Sequence, residues 1–260
     1  MKRSPRILAN LVLASLIALS VTCAAPAAAE RLVTSLSAHQ VLVSSNFTGT
    51  ELVLFGSIER DAATVPRRGG YDIVVTVIGP REGMVTRLKS RVFGIWTNTE
   101  SYTFDRAPAY LAVLSNRPLE TIVPADIARR MEIGLQNFPL SQANGPQPPQ
   151  DFKDALIRLR KQRGFYREEN SAVTFLTPNL FRASIAIPAE SELGNYEVDV
   201  KLFADGTNIA RTSSALEIVK VGIEQFVASA ARDHALLYGL AVVLMAMSTG
   251  WLASIVFRRD

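Results

Sequence analysis

The chain has 260 residues, with 28 Lys plus Arg against 24 Asp plus Glu and a single cysteine, Cys23. Its basic excess sits at the two ends: residues 30 to 234 carry 23 cationic and 23 carboxylate side chains, which excludes the surplus positive charge of a nucleic-acid-binding domain. With the only thiol at residue 23, disulfides, thiolate metal sites and cysteine nucleophiles are excluded from everything that follows it.

Taken in order, the chain opens on a basic start (Lys2, Arg3, Arg6), an apolar run from Ile7 to Val21 and a small-residue exit at Ala27-Ala28-Ala29. These are the three parts of a secretory signal, with cleavage expected after Ala29. The run of about 15 residues is shorter than the ~20 needed to cross a hydrocarbon core, so an uncleaved anchor is the weaker reading. Cys23 invites a lipoprotein reading, but Ser20-Val21-Thr22 ahead of it does not resemble the Leu-rich box of such processing.

The next third alternates with period two. Gln40 to Ser44 places Val41 and Val43 on one face, Glu51 to Ile58 alternates around Leu52, Leu54 and Ile58, and Tyr71 to Ile78 groups Tyr71, Ile73, Val75 and Val77. Met84 to Phe93 and Tyr110 to Leu114 continue the strand signal. Gly49, the stretch Arg67-Arg68-Gly69-Gly70 and Gly79-Pro80 supply turn chemistry between them.

The middle reads as a helical insertion over about residues 120–170. Pro124 to Leu135, with Pro at the first helical position and Ile127, Met131 and Leu135 four apart, predicts a short helix. After a Pro- and Gln-rich loop, a second helix is expected with Asp151 as N-cap and Phe152, Leu156 and Leu159 on its apolar stripe. Three further strands follow, around Phe181 to Ile187, Tyr196 to Leu202 and Thr207 to Val219, with Asp205-Gly206 as a hairpin turn. Gly194-Asn195-Tyr196 has the form of a tyrosine corner. Seven or eight short strands with one polar face predict an immunoglobulin-like β-sandwich whose helical insertion covers an edge or one end.

Residues 222–234 form a neck in which Ile223, Phe226 and Val227 could lie along a membrane interface. Ala235 to Phe257 is then uncharged and long enough to span a bilayer, with Tyr238 and Trp251 near its ends and Arg258-Arg259 beyond it. Arginines collect on the cytoplasmic side, which predicts a tail, residues 258–260, inside and a domain, residues 30–221, in the periplasm.

Several of these stretches together resemble the alphaproteobacterial putative transmembrane protein family. They are Ser45-Asn46-Phe47-Thr48-Gly49 with Leu54-Phe55-Gly56, Arg91-Val92-Phe93-Gly94-Ile95-Trp96-Thr97-Asn98, Gly194-Asn195-Tyr196-Glu197-Val198, and Lys220-Val221-Gly222-Ile223-Glu224. Leu237-Tyr238-Gly239-Leu240, Gly250-Trp251 and Phe257-Arg258-Arg259 complete the set. The resemblance implies single-pass envelope proteins of the inner membrane, brings no catalytic residue, and implies an association with sulfite-exporter-like permeases.

Candidate sites are few. Asn46-Phe47-Thr48 fits a glycosylation acceptor, but in a bacterial host Asn46 is expected only to make a turn before Gly49. His39 and His234 lie almost a whole domain apart, so a histidine metal site or a Ser-His-Asp triad is not expected. Glu168 and Glu169 read as a solvated helix end. Arg87, Lys89 and Arg91 at period two form a cationic ridge ~13 Å long that could dock an anionic ligand, a lipid headgroup or an acidic partner. Trp96 beside Asn98 is expected in the core between sheets, with a stacking platform as the alternative. Ala246, Gly250 and Ser254, four apart on the spanning helix, form a small-residue stripe suited to helix pairing.

The expectation is therefore a non-enzymatic, membrane-anchored periplasmic protein without cofactor or metal. Its partners would be the lipid bilayer and another inner-membrane protein, with a binding module for a small anion as the alternative.

Overall fold

The computed structural model describes residues 30–60, 70–140, 148–222, 227 and 230–256. The signal sequence with Cys23, the Arg67-Arg68-Gly69 turn, Ile223 and Phe226 of the neck and the Arg258-Arg259 tail lie outside the described residues.

Among the described residues twelve strands run in chain order: β1 (Arg31–Leu36), β2 (Gln40–Val43), β3 (Thr50–Glu59), β4 (Asp72–Ile78), β5 (Arg81–Val92), β6 (Ile95–Pro108), β7 (Leu111–Ser115), β8 (Tyr166–Glu169), β9 (Val173–Thr177), β10 (Leu180–Ile187), β11 (Gly194–Ala204) and β12 (Thr207–Lys220). One sheet has the order β1-β3-β10-β9, a second β2-β12-β11-β4-β7-β8, and β5 pairs with β6. The six-stranded sheet is antiparallel through its middle and parallel at both margins, where β2 lies beside β12 and β8 beside β7. The predicted strands are present, and β1, β6, β8 and β9 are additional. β1, β8 and β9 are short, six residues or fewer, so few alternations were on offer to mark them, and β6 is exposed over most of its length, so its residues there carry no apolar alternation.

The two large sheets face each other across one core. Leu52, Leu54, Ile58, Phe181, Ala183 and Ile185 come from one, and Ile73, Val75, Val77, Val198, Val200 and Leu202 from the other. Period-two alternation dictates this, because residues i and i+2 of a strand share a face, and each fully buried aliphatic chain contributes roughly 1.5–3 kcal/mol. At Gly56 the ring of Phe181 lies where a Cβ would project, so the missing side chain creates the ring's seat. The Tyr196 hydroxyl donates to Glu192 O at 2.8 Å, which ties the strand back to its preceding connection as a tyrosine corner does.

Four helices have described bounds: α1 (Leu119–Ile122), α2 (Ala125–Arg130), α3 (Gln150–Gln162) and α4 (Ala235–Val256). The expected helix from Pro124 to Leu135 is shorter than its pattern. Pro124 is the residue before α2, and the chain leaves the helix at Met131 because Glu132 (φ 56) and Gly134 (φ 93) take left-handed backbone. Likewise Asp151 is not an N-cap. Pro149 occupies that position, and Asp151 lies inside the first turn. The buried stripe of α3 is Leu156 and Ile157, with Leu159 exposed.

The insertion covers one edge through β8, which pairs with β7, but its helices do not. The rest of the insertion packs on the outer face of the six-stranded sheet, where Ile122, Ile133, Leu135, Phe138, Leu156 and Ile157 form a second core with Val74, Val113 and Phe203. Those central strands carry apolar residues on both faces, as strands buried on two sides do, with Thr76, Asp199 and Lys201 as the polar exceptions on the outer face. Glu168 and Glu169, expected at a helix end, belong to β8. Glu168 accepts from Leu135 N at 3.3 Å, and Glu169 pairs with Arg167 at 2.8 Å.

Candidate interaction surface

β5 and β6 are the outer half of one long ribbon. In the six-stranded sheet Ile78 pairs with Leu111. The ladder then continues through Gly79 N to Tyr110 O at 2.8 Å and Ala109 N to Pro80 O at 2.7 Å, reaching Arg81 opposite Pro108. Gly79 permits the passage, since a Cβ there would stand 2.9 Å from Tyr110 N and 3.0 Å from the Tyr196 ring. Ile78 pairs with Glu197, which pairs with Ala215. The ribbon therefore leaves from the end of the sheet toward which β12 runs as it approaches the anchor.

The root of this arm is braced. Tyr166 Oη donates to Pro108 O at 2.9 Å, and Arg160 of α3 donates to Ala109 O and faces Glu82 at 3.8 Å. The Arg160 guanidinium lies 4.3 Å from the Phe165 ring centroid and 5.7 Å from that of Tyr166, and burial lowers its pKa. Burial likewise pushes the Tyr166 phenol up. Further along, Met84, Phe104 and Ala107 are buried and Tyr102 packs edge-on to Phe104 at 5.0 Å.

Beyond that root the arm stands free. From Arg87 to Ser101 every residue except the half-buried Ser90 is exposed. From Arg87 to Val92 the free length is about 20 Å at ~3.4 Å per residue. A two-residue turn closes it, with φ 48 at Phe93 and φ 88 at Gly94. Positive φ at both positions is the type I′ hairpin turn, for which Asn-Gly or Gly-Gly is the usual choice. Phe93 is instead a bulky L residue in left-handed backbone, 101% exposed, with Ile95 at 68% and Trp96 at 69% beside it.

The predicted ridge is on this arm. Arg87, Lys89 and Arg91 are exposed along β5, and Arg91 Nε donates to Gly94 O at 3.2 Å across the turn. Between Arg87 and Thr99 these three cations stand without a carboxylate. A register shift at Leu88/Lys89 marks a bulge in the same region, which strengthens the local twist. Trp96 is not in the core between sheets: it pairs with Arg91 at the tip. An alternating pattern predicts a strand but not whether a second sheet covers it, and here none does.

Elsewhere the candidates are dispersed. Asn46 Oδ1 accepts from Ser44 Oγ at 2.6 Å in the turn before Gly49. His39 and His234 are both exposed, and among the described residues no group of three or more His, Cys, Asp or Glu could hold a metal ion. Glu168 and Glu169 line an open cavity of about 750 Å³ at the side of the sandwich, together with Lys161 and Arg167. The spanning segment is the 22-residue helix α4, exposed along its length, with Ala246, Gly250 and Ser254 among its exposed residues. Over Ala235–Ile255 its mean hydropathy is 1.8, enough to cross a membrane.

The family described as Putative transmembrane protein (Alph_Pro_TM) matches residues 31–259. The chain belongs to this family. That places an Alph_Pro_TM chain at the membrane, consistent with the one apolar helix among the described residues that is long enough to cross it. No curated protein matches. Among solved structures the chain is similar to the N-terminal domain of the Streptococcus gordonii adhesin Sgo0707, at 7% identity and a TM-score of 0.28, over 73% of this chain and 32% of that one. The chain thus spans about a third of that structure's length.

Proposed function

We propose that this Alph_Pro_TM protein is a non-enzymatic accessory module, anchored in the inner membrane by α4 with its β domain in the periplasm, that contacts another inner-membrane protein through the β5–β6 arm. The observation that carries the reading is the bare tip: Phe93, Ile95 and Trp96 exposed at the end of a free-standing ribbon, flanked by Arg87, Lys89 and Arg91. Exposed aromatic side chains bordered by cations are the composition of interaction surfaces. Phe93 in left-handed backbone costs the isolated domain roughly 1–2 kcal/mol, a cost that a contact made by that ring would offset. The small-residue stripe of Ala246, Gly250 and Ser254 offers the same partner a close approach within the bilayer.

Ridge and tip together suit an extended surface better than an enclosed small ion, since the three cations are exposed along a ribbon without walls around them. A photo-crosslinking amino acid at position 93 of the full chain, activated in intact cell membranes, tests the reading. A discrete protein adduct that is lost when Trp96 is replaced by Ser supports it. Adducts confined to lipid would make the arm a membrane-surface element instead, and the absence of any adduct would remove the arm from the account. Gly250→Leu tests the helix face separately, with loss of co-purification in mild detergent as the expected result.

A further inference from the structure

The outer face of the six-stranded sheet carries a polar island inside its second core. Strand register puts Thr76 of β4 beside Asp199 of β11, and Lys201 of β11 beside Arg211 of β12. All four alternate with residues of the inner core: Val75, Val77, Val198 and Val200 face the other sheet, so Thr76, Asp199 and Lys201 face outward. They are nonetheless buried, with Asp199 at 2%, Thr76 at 3% and Lys201 at 6% exposure. The chain following α2 overhangs them and leaves a half-open cavity of about 330 Å³, lined by these four residues together with Arg130 and Glu132 and the apolar Ile78, Met131 and Phe138.

The Asp199 carboxylate accepts from the Lys201 ammonium on Oδ2 and from Arg211 Nε at 2.6 Å on Oδ1, so one anion serves two cations. The hydrogen bond and charge of Asp199 raise the pKa of the Arg211 guanidinium. Arg130, 81% exposed, faces Asp126 at 3.9 Å, and Glu132 and Glu197 add negative charge near the rim at Arg211. The cation held out of water is Lys201, whose one carboxylate partner is shared with Arg211, and a buried ammonium favours further acceptors.

A second, independent feature points the same way. Thr76 Oγ1 is buried at the cavity floor without a hydrogen-bond partner, and buried hydroxyls are almost always paired in folded proteins. A hydroxyl can donate its proton to an oxyanion, and an ammonium carries three donors, of which Asp199 takes one.

We propose that this cavity is a binding site for a small oxyanion, a carboxylate or tetrahedral oxyanion. Thr76 Oγ1 and Lys201 Nζ hold it at the floor and Arg211 at the rim. Arg211 suits the rim position because its side chain is 59% exposed while its Nε reaches Asp199, so it spans solvent and site. A cation is disfavoured by Lys201 and Arg211, and an apolar ligand would strand the Thr76 hydroxyl and the Lys201 ammonium. The site is separate from the tip of the β5–β6 arm, and the proposal does not depend on that arm's role.

The test is thermal unfolding and titration calorimetry of the full chain in detergent, with sulfate, phosphate, acetate and succinate each compared with chloride at matched ionic strength. A saturable rise in Tm with at least one of the four is expected, growing with concentration as linkage requires. Thr76→Val, nearly the same shape, is expected to raise the Tm of the ligand-free protein slightly and to weaken that anion about tenfold. Arg211→Gln is expected to abolish the saturable shift. The proposal is overturned if none of the four produces a shift beyond chloride, or if Thr76→Val binds the anion as tightly as the parent. Should Arg211→Gln not fold, the Thr76→Val affinity alone decides.

Discussion

The two halves of one antiparallel ribbon, β4–β7 and β5–β6, have opposite fates. At the inner half, Ile73, Val75 and Val77 are fully buried and Leu111 to Leu114 almost so. At the outer half, Leu88, Ile95 and Trp96 are at least 50% exposed. Both halves alternate, both pair residue by residue, and both carry β-branched and aromatic side chains. What separates them is company: the inner half has a sheet on one face and a helical layer on the other, whereas the outer half, beyond its braced root, has solvent on both. An exposed hairpin of that length is marginal by itself, so the arm depends on the brace at Tyr166, Arg160 and Phe104 for its position.

That contrast can be broken most severely on the buried side. Phe181→Ala should cost ~3–5 kcal/mol, because the ring is fully buried against Gly56. Chemical denaturation of the full chain in detergent would measure it. Gly79→Ala acts at the junction of the two halves. An added methyl there collides with Tyr110 and Tyr196, and overpacking of this kind costs typically 1–3 kcal/mol. The same measurement checks it, and a cost near zero would show that the ribbon is not held tightly where it leaves the sheet.

Alkaline pH should loosen the buried half in a defined window. Burial pushes the Tyr196 phenol from 10.0 up to about 12, and the Tyr110 phenol upward too. A folded-state pKa above the unfolded value means that the unfolded chain loses the proton first. The stability tied to the neutral phenol is thus intact below about pH 10 and declines as pH rises through 12. Melting temperatures between pH 8 and 12 should fall over that range, and less steeply in Tyr196→Phe. At neutral pH Tyr196→Phe should itself cost ~1 kcal/mol through loss of the bond to Glu192 O.

The smallest effects are expected on the free half. Trp96→Ser should change stability by no more than about 0.5 kcal/mol while removing whatever contact the tip makes. Phe93→Asn should raise stability by up to about 1 kcal/mol, since Asn accepts left-handed backbone more readily. A large loss of stability from either substitution would mean that the tip is packed against the domain and not free.

Much of this was legible in the residues. Period-two runs located eight of the strands, Asp205-Gly206 marked its turn, with φ 49 and 76, and Tyr196 announced its back-bond. The spanning segment was equally plain, because a hydrocarbon-length run without charge has few alternatives. The arm and the cavity were not. Arg87, Lys89 and Arg91 were visible as a ridge, but Trp96 was expected in the core because large aromatics usually are. Lys201, Asp199 and Arg211 looked like the polar face of ordinary strands.

The sequence by itself determined which segments are strands, which face of each is apolar, and that one helix is suited to the bilayer. These are local or compositional properties, set by side-chain period and by hydration of the chain. Only the tertiary structure decided which strands are covered. The helical layer buries the outer face of β4, β7 and β11, enclosing Lys201 and Asp199, and leaves β5 and β6 bare at Phe93, Ile95 and Trp96. Coverage is a matter of what packs against what across long stretches of chain, and alternation along a single strand carries no record of it.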